Sequence, residues 1–96
     1  MNLYAILRRN GWKTPADLHA AAERSAKVGD TEMPNDVRWI RTYVFAEPDG
    51  TLGTVCIYEA TSPAAIEKHA NRAELALSEI RPVVDTVVVR PDPSKK

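Results

Sequence analysis

Two runs rich in β-branched and aromatic residues, V-R-W-I-R-T-Y-V-F-A at 37–46 and G-T-V-C-I-Y-E-A at 53–60, flank Pro48-Asp49-Gly50. Proline presets a turn dihedral and glycine accepts a positive one, so turn chemistry separates two strand-forming segments. The expected product is an antiparallel hairpin. A two-stranded hairpin is marginal in water and needs further elements to cover it. The chain supplies them on both sides. An apolar run at 2–8 predicts a strand ahead of the hairpin. Thr14-Pro15-Ala16-Asp17 reads as a capping hydroxyl, a first-position proline and an acidic first turn. They open a helix that runs to about Val28 and stops at Gly29-Asp30. Ser62-Pro63 repeats that start for a helix reaching about Leu77. Ile80 to Arg90, valine-rich, predicts the last strand, with Pro82 marking an edge or a bulge.

The order β-α-β-β-α-β predicts an α+β, ferredoxin-like fold: a four-stranded antiparallel sheet with two helices on one face. One domain is expected over 1–91, with a flexible C-terminal tail at 92–96. The strands carry apolar residues on both faces, Leu3, Ala5 and Leu7 against Tyr4 and Ile6, and Trp39, Tyr43 and Phe45 against Ile40 and Val44. A sheet wetted on one side alternates more cleanly than this. The face away from the helices is therefore expected to meet the same face of a second copy, in a homodimer of the dimeric α/β-barrel kind. Which face meets the helices is not readable, because both are apolar.

Charge narrows the function classes. The 13 Lys and Arg balance the 13 Asp and Glu, so no net positive field points to nucleic acid or to an anionic membrane. No apolar run approaches the ~20 residues of a membrane span. Charges follow the first apolar run instead of preceding it, the reverse of a secretory signal. The single Cys56 excludes an intrachain disulfide and an all-cysteine metal site. A cytoplasmic location is the expectation.

Few residues carry chemistry. Ile66, His69, Ala70, Ala73 and Leu77 form one stripe at helical spacing, which turns His69 toward the sheet. His69 is then either a core-edge imidazole bonded to a backbone carbonyl or tyrosine hydroxyl, or a ligand or proton-transfer group in a pocket between helix and sheet. Strict alternation in 37–46 puts Trp39, Arg41, Tyr43 and Phe45 on one face. Arg41 there stacks on an aromatic ring, neutralises an anionic ligand, or pairs with an acid such as Asp85. In the next strand Thr54, Cys56 and Tyr58 share a face and Glu59 takes the other. Cys56 reads as a small buried hydrophobe and His19 as solvated. The candidate ligand-binding set is Trp39, Arg41, Tyr43, Tyr58 and His69, with His69 as the candidate metal ligand. No catalytic residue is assignable. Arg8-Arg9-Asn10-Gly11 lacks the glycine-rich pattern of a phosphate cradle.

The blocks V-R-W-I-R-T-Y-V-F, T-V-C-I-Y-E-A-T-S-P-A-A-I-E-K-H-A and S-E-I-R-P-V resemble the DUF4242 family, small bacterial proteins related to a nickel-responsive, nickel-binding protein. The resemblance spans roughly 37–85 and, loosely, the first strand. It implies a ferredoxin-like fold, a homodimer, and binding of nickel or another divalent transition metal. It also implies that His69 matches a family histidine. Leu7 stands where the family often has a carboxylate and Arg41 where it often has a histidine. Leucine cannot coordinate and arginine repels a cation. The leading expectation is thus a homodimer that binds a small molecule or a metal ion. The alternatives are a cofactor-independent monooxygenase or isomerase acting on a small aromatic substrate, with His69 moving a proton between aromatic walls, and a pure interaction module.

Overall fold

The computed structural model describes residues 1–93. It contains β1 (Asn2–Trp12), α1 (Pro15–Lys27), a π-helical turn (Val28–Glu32), β2 (Val37–Ala46), β3 (Leu52–Ala60), α2 (Pro63–Ala73) and β4 (Glu79–Pro82). The sheet runs in the order β2-β3-β1-β4, and every pairing is antiparallel. This is the ferredoxin-like α+β arrangement that the element order predicts.

Both helices start as their sequences dictate. The Thr14 hydroxyl accepts the Asp17 N–H and the Ser62 hydroxyl accepts the Ala65 N–H, each just ahead of a proline in the first turn. Their ends differ from expectation. α1 does not stop at Gly29 but widens into the π-helical turn, closed by Met33 N–H donating to the Val28 carbonyl. α2 ends at Ala73, not near Leu77, because Glu74 adopts a left-handed conformation (φ 57°) that breaks the helix.

The helices cover the face of Tyr4 and Ile6. These two residues join Val28, Met33, Val37, Cys56, Tyr58, Ala60, Ile66 and Ala73 in one buried cluster. Leu3, Ala5 and Leu7 look out on the open face. Small residues on α1 let it sit close to the sheet: Ala21 and Ser25 are its buried positions.

Two strands depart from regular pairing, and both departures matter for the site. β1 continues past Arg8 through an irregular segment in which Asn10 takes a positive φ of 52°, and it resumes pairing at Trp12 with Leu52. Asparagine tolerates that conformation better than most side chains. In β2, Trp39 pairs with Tyr58 but Arg41 pairs with Ile57. Ile40 is therefore one extra residue, a β-bulge.

The expected strand over 80–90 shrinks to Glu79–Pro82. β4 runs antiparallel to β1 and reaches its beginning: Tyr4 pairs with Pro82, and Val83 N–H donates to the Leu3 carbonyl. Residues 83–93 continue without a strand partner and leave Val84 (96% exposed), Val87 (84%), Val88 (75%) and Val89 (77%) in the open. Of the tail expected at 92–96, residues 94–96 lie outside the described residues.

Candidate functional site

The bulge at Ile40 divides the set read from the sequence. Before it, Val37 and Trp39 face the helices. After it, Thr42 and Val44 do, while Arg41 and Tyr43 turn to the open face. The expected grouping of Trp39 with Arg41, Tyr43 and Phe45 is wrong for this reason: an inserted residue reverses the inside-outside alternation. Arg41 does not meet the aromatic wall beside Tyr58. Its guanidinium donates to the Tyr43 hydroxyl (3.0 Å) and to Asp92 (3.4 Å), and the Tyr43 hydroxyl donates to Asp92 at 2.8 Å. Its anionic partner is thus Asp92. Asp85 is exposed and accepts from the Thr86 N–H next to it.

On the helix side, Trp39 stacks on Tyr58 with ring centroids 6.1 Å apart and planes 4° from parallel. The bulge also brings Trp39 and Thr42 to the same face, so the indole Nε1–H donates to Thr42 Oγ1 at 2.8 Å. Tyr58 is buried, and its hydroxyl shares a 2.7 Å hydrogen bond with Ser25 of α1. Burial pushes its phenol up to about 12, against the opposing pull of the Ser25 hydrogen bond.

His69 is buried (1% exposed) as its helical stripe predicts. Its ring tilts at 58° against Tyr58, centroids 5.4 Å apart, and Nε2 lies 3.0 Å from the Ser25 carbonyl. A carbonyl only accepts, so Nε2 carries the proton. Gly29 packs beside the ring, at a point where a Cβ would lie 3.6 Å from Nε2. Burial holds the imidazole below its ordinary value, more than the Ser25 hydrogen bond raises it, and the Arg8 charge adds to the lowering. His69 is therefore a neutral strut that fastens α2 to the end of α1.

Between α1 and the β2–β3 face lies a cavity of about 160 Å³. Leu18, Ala22, Trp39, Val44 and Leu75 supply apolar walls, and the exposed His19 stands at its rim. Arg8, Thr54 and Cys56 also line it. Of the five residues expected to bind a ligand, Trp39 and Tyr58 line this cavity, Arg41 and Tyr43 lie across the sheet from it, and His69 sits behind Tyr58. Sequence reasoning passed over Arg8, which is 1% exposed. The signal was present: Arg8 follows Tyr4 and Ile6 at a spacing of two, on the face that faces the core.

The residues do not fit a nickel centre within one chain. Leu7 and Arg41, which stand at expected ligand positions, are on the open face of the sheet, and His69 is on the helix side with Nε2 already committed. Among the described residues no group of three or more His, Cys, Asp or Glu side chains converges. No helix among them is long and apolar enough to cross a membrane.

A four-stranded antiparallel sheet roofed on one side by two helices, with a small cavity under the first, defines a ferredoxin-like α+β protein. The chain belongs to the family described as nickel responsive protein SCO4226-like, whose model matches residues 4–83. Its fold is similar to the crystal structure of SCO4226 from Streptomyces coelicolor A3(2), with a TM-score of 0.67 and 21% identity over 88% of this chain and 99% of that one. No curated protein matches.

The strut role of His69 makes a pH prediction. Above about pH 6.5, the ordinary histidine value, folded and unfolded chains both carry a neutral ring at this position. Below it, the unfolded chain takes up a proton that the folded chain refuses, so stability falls with pH until the lowered folded value is reached. His69→Gln keeps a donor for the Ser25 carbonyl and does not titrate. Urea midpoints measured from pH 7.5 to pH 5 should fall less steeply for His69→Gln than for the wild type. Its Ni(II) affinity, measured by calorimetry, should equal that of the wild type.

Proposed function

We propose that this member of the family is a homodimeric binding protein that takes a small organic molecule into the cavity between α1 and the sheet. The observation that carries the reading is that cavity itself. Its walls are apolar, its volume is about 160 Å³, and side-chain donors line its base. An engineered apolar cavity of about 150 Å³ admits a benzene-sized guest, so the occupant is a molecule built on about one ring. The family description concerns nickel. For this chain, the division of the expected ligand positions by the sheet favours an organic occupant over a one-chain metal centre. His69 is turned away from the cavity, which leaves the enzymatic alternative without the proton-transfer group it relied on.

The homodimer has separate support. The open face presents Ile40 (42% exposed) and Tyr43 (43%), and the unpartnered valines of 84–89 add a second apolar surface. Contiguous apolar surface of this kind marks an interaction site.

The cavity is tested by filling it. Benzyl alcohol added to the wild type should shift the amide resonances of Trp39, Ala22 and Thr54 and quench tryptophan fluorescence. Ala22→Leu places a larger side chain in the same space and should abolish both responses while the protein stays folded. Equal responses in the two proteins would place the guest elsewhere and overturn the reading.

A further inference from the structure

Arg8 is buried, yet among the described residues it has no acidic partner. Its one hydrogen bond runs from Nη1 to the Ala76 carbonyl at 2.7 Å, and Nη2 is buried with no acceptor. A guanidinium keeps its charge in a protein interior, and an uncompensated buried charge is costly. Arg8 lines the cavity described above.

A buried hydroxyl stands beside it. Indole Nε1–H can only donate, which sets the direction of a chain of hydrogen bonds along the cavity wall. Trp39 Nε1 donates to Thr42 Oγ1, Thr42 Oγ1 to Cys56 Sγ at 3.2 Å, and Cys56 Sγ to Thr54 Oγ1 at 3.5 Å. The chain ends at Thr54 Oγ1, which accepts from Cys56 Sγ. Thr54 is 1% exposed and is the residue paired with Arg8 across β1 and β3. Paired residues in an antiparallel ladder hold their side chains ~5 Å apart on one face. A buried charged donor without an acceptor, Arg8 Nη2, thus stands beside the buried Thr54 hydroxyl at an apolar cavity.

We infer that the cavity binds a small carboxylate with an apolar, single-ring body, its anionic group received by Arg8 Nη2 and the Thr54 hydroxyl. The inference rests on the ligand-cavity reading above and names the chemical class of its occupant. One carboxylate supplies acceptors for both donors and the missing counter-charge. With Nη1 held by Ala76, the contact is one-armed, so affinity depends jointly on the charge and on the fit of the ring beside Trp39 and Leu18. Thr54 acts as a binding residue and Cys56 as the link that orients it.

The test compares benzoate with benzyl alcohol, matched in ring and differing in charge, by isothermal titration of the full chain at pH 7.5. Wild type should bind benzoate at least ten-fold more tightly, and added salt should narrow the gap. Arg8→Met should bring benzoate down to the level of benzyl alcohol. Thr54→Val, an isosteric change, should weaken benzoate several-fold, and it decides the matter if Arg8→Met does not fold. Equal affinities for the two probes in wild type, or benzoate affinity unmoved by Thr54→Val and by a folded Arg8→Met, would overturn the anion site and leave the cavity reading intact. Binding of neither probe would overturn both.

Discussion

Replacing Val87 and Val88 together by aspartate should turn the proposed homodimer into a monomer. Val87 and Val88 are both largely exposed, so both are open to burial under the proposed second copy. Fully burying a valine contributes about 1.5 kcal/mol or more, and Val84, Val87, Val88 and Val89 all await such burial. A carboxylate forced under a partner without a counter-charge costs about 2 kcal/mol or more. Two of them weaken association by roughly a thousand-fold. Light scattering after size exclusion at micromolar concentration checks this. The wild type should run as a dimer, the aspartate pair as a monomer, and a control with threonine at both positions close to the wild type. A monomeric wild type would end the dimer proposal. Their large exposure means that altering them costs the fold little.

The second large effect is local and concerns Gly53. A Cβ at this position would lie 2.6 Å from Glu47 Oε2 and 2.7 Å from the Phe45 ring. Neither neighbour yields freely. Glu47 is buried and receives Arg9 Nε (3.0 Å), Arg9 Nη2 (2.9 Å) and the Asn10 N–H (2.8 Å). Phe45, the partner of Gly53 across the hairpin, lies under the Arg9 guanidinium at 5.7 Å. Gly53→Ala therefore has to displace a ring and loosen an ion pair, an overpacking cost of about 2 kcal/mol. In a domain of this size that lowers Tm by about 8–16 °C. The penalty should shrink when Phe45 is first changed to leucine, and thermal denaturation of the double-mutant cycle reads that coupling. The Arg9 hydrogen bonds hold the Glu47 carboxyl below its ordinary range. Its contribution is therefore present above the usual glutamate value and is lost as the pH falls toward the lowered one.

The fold was legible because its signals are local. Proline after a capping hydroxyl fixed the start of both helices, and the turn at 48–50 fixed the hairpin. Two features escaped because they depend on counting across strands. No residue in W-I-R-T announces that Ile40 is surplus, and without the surplus the alternation assigns Arg41 and Tyr43 to the wrong side. The valine run at 83–89 has every local mark of a strand, yet among the described residues the pairing of β4 with β1 ends at Pro82. Arg8 shares the core-facing alternation of Tyr4 and Ile6, and what the sequence does not locate is the Ala76 carbonyl that receives its Nη1. His69 was placed correctly inside. Its choice between strut and ligand turned on the Ser25 carbonyl, which the sequence does not locate.

The extra residue at position 40 has an evolutionary corollary. One continuous strand carries two independent wardrobes, residues 37 and 39 with 42 and 44 dressing the interior, and 41 and 43 dressing the outer surface. Selection can rework the proposed guest site and the proposed contact with a second copy from different members of the same ten residues. Deleting Ile40 would merge the two, exchanging the lining of the chamber for the lining of the contact in one step.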